Sequence, residues 1–464
     1  MIASLSACGG GRSEQTSAST TAASTTPPAT LKSEAAEAIA EMGKDAEKLE
    51  NPTVKFLSSW DLNPRSGKPK QVSLELFETS RGGKIEWVQC TWEERYSALG
   101  KLVAAGDSPD MFSASDFDCF PQGVINGMFV PMDDYIDFDS ELWAPMTTIN
   151  DQFVFQGKHY VCAYESVPGC IMVYNKNTIA ENGLRDPVEL LDEGNWNWDT
   201  FREMLIQFNN REEEKFGIDG WWFEGAISQT TGVPYIGMED GKVVHYLDDS
   251  RIQDAQEFML DLNRQDLPVP KKEYQWQIHP ENIASGKTLF FPIGVWGLTD
   301  MGYLPPFTGG EVDENGNAQI GDMENLMFVP MPRCPKADEY YLPSIISGYT
   351  ICKGAQNPEG VGAYLECVME CRDSEVAKQI EYEQLFEDYK WTEEMYNMLQ
   401  RTKEMTEEHP VFEFYTAVTP MVNDLINNPM KDCYNHGEPS WAQTKETIRN
   451  KVQSELDQVN SKLS

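Results

Sequence analysis

The run from Thr53 to Ser113 does most to restrict the fold. Thr53-Val-Lys-Phe-Leu57 reads as a strand, closed by Ser58-Ser-Trp-Asp61. Gln71–Ser80 carries Val72, Leu74, Leu76 and Phe77 at helical spacing. Lys84–Cys90 alternates, as a half-buried strand does. Thr91-Trp-Glu-Glu94 has the form of a capping box, so a helix is expected to run to Ala105 and stop at Gly106. Asp110-Met-Phe-Ser113 is a third strand. Strand–helix–strand–helix–strand requires parallel strands joined by crossovers of one hand. Ligands of such sheets lie beyond the carboxyl ends of the strands. Those ends offer Trp60 and Asp61, then Ser113, Ser115 and Asp116.

One such sheet does not use up 464 residues, and two or three domains are expected. The boundary signal lies at 160–176. Tyr160–Ala163 and Cys170–Tyr174 read as short strands, and Glu165, Ser166, Pro168 and Gly169 between them are expected to break the ladder. We read this as the passage from one lobe to a second, with a cleft beside it and Glu165 as a hydrogen-bond acceptor for a ligand. A helix capped by Asn175 or Asn177 follows. Trp198–Asn209 and Ser250–Arg264 read as helices, Glu239-Asp-Gly-Lys242 as a hairpin turn, and Gly220-Trp-Trp-Phe-Glu224 as a strand end. Gly286–Gly297 is a strand that leads to Trp296. Glu324–Pro332 is expected to return to the first lobe, followed by a strand at Ile345–Ile351 and a helix at Pro358–Glu370. The helical remainder is expected to pack on the second lobe. The first lobe is then about 50–163 plus 328–372, and the second about 164–327 plus 373–464. Trp60, Trp221 and Trp296 stand out among 12 tryptophans because each sits at a strand end beside Gly, Ser or Asp, not within an apolar run.

Charge removes several function classes. Lys+Arg minus Asp+Glu is 37 − 75 = −38, which repels nucleic-acid phosphates and anionic lipid headgroups. The 10 cysteines are scattered without a Cys-x-x-Cys pair and mostly in apolar contexts, so buried free thiols are expected. The five histidines show no zinc spacing. Glu311–Asp322 partly fits a calcium loop but has Glu first and Asp twelfth, and an exposed hairpin tip accounts for it equally well. Gly-x-Ser-x-Gly, phosphate-loop and His-Glu-x-x-His motifs are missing. Carboxylates are too numerous for a glycosidase-like pair to be dismissed by count. At the amino end, Leu5-Ser-Ala-Cys8 fits a lipobox, in which Cys8 is acylated. A Gly/Ser/Thr-rich tether and a short helix at Lys32–Leu49 complete residues 1–49. A longer leader is expected upstream of Met1.

The wording of the 172–201 region also carries a resemblance. Met172-Val-Tyr-Asn-Lys176, Gly183-Leu184, Asp186-Pro187 and Trp196-Asn-Trp-Asp-Thr-Phe201 resemble the family 1 extracellular solute-binding proteins, the sugar-binding subunits of bacterial ABC importers. The resemblance extends in order over about residues 50–455. It implies a two-lobed periplasmic-binding-protein-like (type II) α/β fold with hinge crossovers and a central cleft. It also implies polar ligand contacts from Asp110–Asp116, a stacking tryptophan at Trp296 and a further aromatic at Tyr415. A carbohydrate ligand and membrane permease partners are expected, with no cofactor, no metal and no catalysis. The chain is expected to act as a monomer, lipid-anchored through Cys8 on the outer face of a bacterial cytoplasmic membrane. Two alternatives stand beside this: a binding lipoprotein for a polyamine or peptide, and a surface-anchored glycan-degrading enzyme. A cleft richer in carboxylates than in aromatics favours the former; turnover of a bound oligosaccharide favours the latter.

Overall fold

A computed structural model of the chain describes residues 33–63, 70–115, 117, 119–299, 303–308, 321 and 323–463. Thr53–Ser58 (β1) lies between Lys84–Gln89 (β2) and Met111–Ser113 (β3), and both pairings are parallel, as expected. The joining segments are helical. Val72–Leu76 continues as a π-helical turn to Arg81, and Arg95–Ala105 ends on Gly106 in the left-handed conformation. Thr91 makes only half of the capping box: its Oγ1 accepts the Glu94 N–H at 3.2 Å, and the helix starts one residue later. Val54, Phe56, Leu57 and Phe112 are buried, which is why this strand set collapses against its helices.

Next in the chain come Phe129–Val130 (β4), the hairpin Val154–Phe155 (β5) and Lys158–His159 (β6), and Cys162–Pro168 (β7). Then follow Ile171–Asn175 (β8), Phe216–Ile218 (β9), the hairpin Ile236–Glu239 (β10) and Lys242–His245 (β11), and Thr288–Ile293 (β12). Leu326–Pro330 (β13), Leu342–Cys352 (β14) and Pro410–Phe412 (β15) complete the set. The larger sheet has the order β15-β14-β3-β1-β2, with β4 and β7 also paired to β14. The second has the order β13-β8-β12-β9. Each sheet is the centre of one lobe.

The crossover differs in detail from its expectation. Glu165, Ser166 and Pro168 do not break the ladder. β7 runs through all three, antiparallel to β14, and Pro168 opposite Ser344 is its last residue. An edge strand tolerates a terminal proline because the missing N–H faces no partner. The chain then leaves the first sheet, and Gly169-Cys170 leads into β8, inside the second. Asn175 caps the next helix, accepting the Asn177 N–H at 2.9 Å.

Two further expectations are corrected. Leu326–Pro330 does not return to the first lobe; it pairs with β8 along its whole length, from Leu326–Asn175 to Pro330–Ile171. All five of its residues are buried, and an unbroken apolar strand does not declare which sheet it joins. The return falls between Pro330 and Leu342. The helical remainder does not lie wholly on the second lobe either. Glu375–Tyr389 packs on the helices Ser33–Met42, Val72–Leu76 and Pro358–Asp373 of the first. Glu393–Glu408 lies against β7, β13 and β14, so it touches both sheets, and β15 rejoins the first sheet beside β14. Pro420–His436 and Trp441–Leu463 pack with Ser250–Arg264 on the second lobe. The helix Ser33–Met42, expected on the tether, is docked through fully buried Ile39. Cys8, most of the tether and nearly all of the 311–322 loop lie outside the described residues. The nine described cysteines are free, and eight are buried, Cys90 being the exception. No described helix is long and apolar enough to cross a membrane.

Candidate functional site

In the first lobe, the carboxyl ends of β1 and β3 and the start of the Arg95–Ala105 helix enclose a small recess lined by Ser58, Ser59, Trp60, Trp92, Arg95 and Ser113. The Trp60 N–H donates to Ser58 Oγ at 3.0 Å, and its ring stands edge-on to Phe56. Trp92, the second residue of the Thr91–Glu94 cap, lies 6.3 Å from Trp60 with the ring planes 31° apart. The Arg95 guanidinium sits 3.8 Å from the Trp92 ring centroid, a cation–π contact that braces the indole. Ser113 and Ser115 share a hydrogen bond of 3.1 Å between hydroxyls.

Several of the residues expected here already have partners within the chain. The Asp61 carboxylate turns back to accept the Asn63 N–H and side-chain amide at 2.9 and 2.8 Å, closing its own loop. Asp110, at the amino end of β3, is buried and accepts the N–H groups of Lys55, Gln356 and Asn357 at 2.7–2.8 Å. It therefore fastens β1 and the 356–357 turn to β3, at the opposite end of that strand from Ser113. Asp116 lies outside the described residues. Glu165, expected to accept from a ligand, is held by Lys403, whose Nζ is 2.6 Å from its Oε1.

The second lobe repeats the arrangement. β9 and β12 are parallel neighbours, and both end at tryptophans. Asp219, buried at the end of β9, pairs with Lys271 and accepts the His279 N–H at 2.8 Å. The Trp221 N–H donates to Pro292 O at 2.9 Å. This approach requires Gly220, since a Cβ there would lie 2.6 Å from the same oxygen. Trp221 turns inward against Phe291 and Tyr303. Its neighbour Trp222 turns outward and holds a left-handed backbone, φ 62°. At the end of β12, Trp296 folds over Gly294, where a Cβ would lie 2.3 Å from the indole nitrogen. Trp296 meets Trp222 at 6.0 Å and Tyr303 at 4.6 Å, edge to face in both cases. Trp222, Trp296 and Trp92 are 54%, 39% and 40% exposed, among the most exposed large apolar side chains described.

Trp222, like Trp92, is not marked out by the sequence pattern; adjacent tryptophans give no sign of which one faces out. An exposed indole held at positive φ is a strained feature of the kind that collects at binding sites. Tyr415, the remaining expected residue, is only partly exposed; its hydroxyl lies against Gly225, and burial pushes its phenol up. Next to it Glu413 is partly buried. Its carboxylate accepts the N–H groups of Tyr235 and Ile236 at 2.7 and 3.0 Å, so it ties the end of β15 to the second-lobe hairpin. Burial pushes its carboxyl up to about 8, against the pull of those donors.

Two α/β lobes on shared crossover strands, each presenting tryptophans at the carboxyl ends of parallel strands, make the two-lobed periplasmic-binding-protein-like fold of the ABC solute-binding proteins. No protein-family model and no curated protein matches the sequence. Solved structures do. The GacH receptor of Streptomyces glaucescens, solved free and with acarbose, superposes with a TM-score of 0.62 at 13% identity, over 88% of this chain and 99% of that one. The cyclic α-maltosyl-1,6-maltose binding protein of Arthrobacter globiformis gives 0.61 at 13% identity, over 88% and 99%. UgpB of Mycobacterium tuberculosis, in complex with glycerophosphocholine, gives 0.60 at 14% identity, over 88% and 98%.

Proposed function

We propose that this chain is the substrate-binding protein of an ABC importer, that it captures a sugar or oligosaccharide between its lobes, and that it hands the ligand to permease subunits. The observation that carries this is the pair of exposed tryptophan clusters, Trp60 with Trp92 on one lobe and Trp222 with Trp296 on the other. A sugar ring has an apolar C–H face and a rim of hydroxyls. Indole faces match the first, and the Ser58, Ser113 and Ser115 hydroxyls suit the second. Closure is favoured by ligand because contacts to both lobes exist together only in the closed state. The chain acts by binding, not turnover, and is held as a monomer on the outer face of the cytoplasmic membrane through acylated Cys8. Replacing Cys8 by Ser in a precursor with its full leader is expected to release the protein from the membrane fraction; unchanged retention counts against the anchor.

A thermal-shift panel tests the ligand class, since a ligand that binds only the folded state raises the midpoint. Maltotetraose, mannotriose and glycerophosphocholine, ligands named for structural neighbours, are suitable members. A glycan that raises the midpoint in the native protein but not in Trp222→Ala supports the reading. A response to glycerophosphocholine or a polyamine, with none to any glycan, replaces it with the non-sugar alternative. Release of shorter sugars from a bound oligosaccharide establishes an enzyme.

A further inference from the structure

Behind the cleft, the helix Glu393–Glu408 makes charged contacts to both lobes. Its first part is fastened to the second lobe. The Trp391 indole just before it donates to Leu298 O at 3.2 Å, Glu394 pairs with Lys176 at 2.9 Å, and Arg401 pairs with Asp192. Its last two turns reach the other way. Lys403 holds Glu165 on β7. Glu407 accepts from Arg372 Nη2 at 3.1 Å. Arg372 belongs to the Pro358–Asp373 helix, which packs on Val72–Leu76 and β1 in the first lobe.

Arg372 has a second contact on the hinge strand itself. Its Nη1 donates to Tyr164 O at 2.9 Å. Tyr164 is the residue passed over in the β7–β14 ladder, where Ala163 faces Gly348 and Glu165 faces Ser347. Such a bulge interrupts pairing and lets a strand bend locally. The guanidinium fork thus joins three parts at the bulge: the first-lobe helix, the bulged carbonyl and the Glu393–Glu408 helix that touches both sheets. Among the described residues, neither Trp60 nor Trp92 makes a ring contact with Trp222, Trp296 or Tyr303.

We propose that Arg372–Glu407 and Lys403–Glu165 form an ionic latch across the back of the hinge, which holds the lobes open and sets the open–closed equilibrium from outside the cleft. The proposal rests on the clamp reading above but not on the ligand being a sugar. The four side chains are partly exposed, so the latch is sensitive to salt and biases the equilibrium by a few-fold only.

Small-angle scattering of the full ligand-free chain tests it, comparing the native protein with Glu407→Gln/Lys403→Met at about 20 mM and about 0.5 M salt. The native protein is expected to shrink in radius of gyration as salt rises. The double variant is expected to be already smaller at low salt and to respond little. Equal radii and equal salt responses in the two proteins overturn the latch, even if the variant melts earlier, because a merely structural role moves only the midpoint. If the double variant fails to fold, Arg372→Lys serves instead: it keeps the charge but not the fork, and must give an intermediate low-salt radius. A native-like radius there also overturns the latch. Failure of the clamp reading is seen separately, as no compaction at saturating ligand.

Discussion

Strain and exposure coincide at Trp222, as they do at Trp276. A left-handed backbone costs a bulky L-residue about 1–2 kcal/mol, and more than half of its side chain faces solvent. Trp222→Gly is therefore expected to leave the folding free energy unchanged or raised by about 1 kcal/mol, while weakening glycan binding by about 2 kcal/mol, near thirtyfold. Calorimetry and urea denaturation measure the two effects, and a loss of fold stability would make Trp222 a packing residue. Trp296→Ala is expected to weaken binding to a similar degree. It also removes the Trp222 and Tyr303 contacts, so some affinity is lost through a loosened neighbour. Glu413 makes a pH prediction. Its carboxyl is pushed up to about 8 from an unfolded value near 4.5, so its contribution to stability is complete below about 4.5 and is lost as pH rises through about 8, worth at most about 5 kcal/mol. Between pH 5 and 9 the native protein should lose melting temperature more steeply than Glu413→Gln; parallel curves would show that the group does not titrate there. Trp60, Trp221 and Trp296 were legible as strand-end aromatics. Trp92 was hidden inside a capping motif. Glu165 looked like a free acceptor because its partner, Lys403, is 238 residues away along the chain.

At the scale of elements, β14 organises the first lobe and the hinge together. It pairs with β3, β4, β7 and β15, and its bulge opposite Tyr164 sits where the lobes join. Gly348 makes the pairing possible there, since a Cβ would come within 2.8 Å of Cys162 O and 3.1 Å of Ala163 Cα. Gly348→Ala is expected to cost about 1–3 kcal/mol by forcing the two strands apart, read by chemical denaturation; a neutral result would mean that the bulge yields freely. Most elements were legible in the sequence because periodicity and caps are local. The Trp198–Phe208 helix, for example, starts on an Asn197–Thr200 capping box. What failed was membership. β13 is uniformly apolar and β7 contains a proline, and neither pattern states the identity of the strand alongside.

At the scale of the molecule, the two sheets are joined by β7 leading to β8, by the return between β13 and β14, and by the Glu393–Glu408 helix with β15 beyond it. Rotation about these crossings is expected to reduce the radius of gyration when ligand is added, measurable by small-angle scattering. An unchanged profile at saturating ligand would count against a clamp. By itself the sequence determined the parallel order of the first three strands, the existence of a second lobe and the carboxyl-end placement of the aromatics. These follow from short-range patterning and from the handedness of strand–helix–strand units. Only the tertiary structure decided which of two adjacent tryptophans faces solvent, that Asp110 is a buried fastener, and that Glu165 is bound to a distant lysine. Those outcomes depend on contacts between residues far apart in the chain, and no local pattern encodes them.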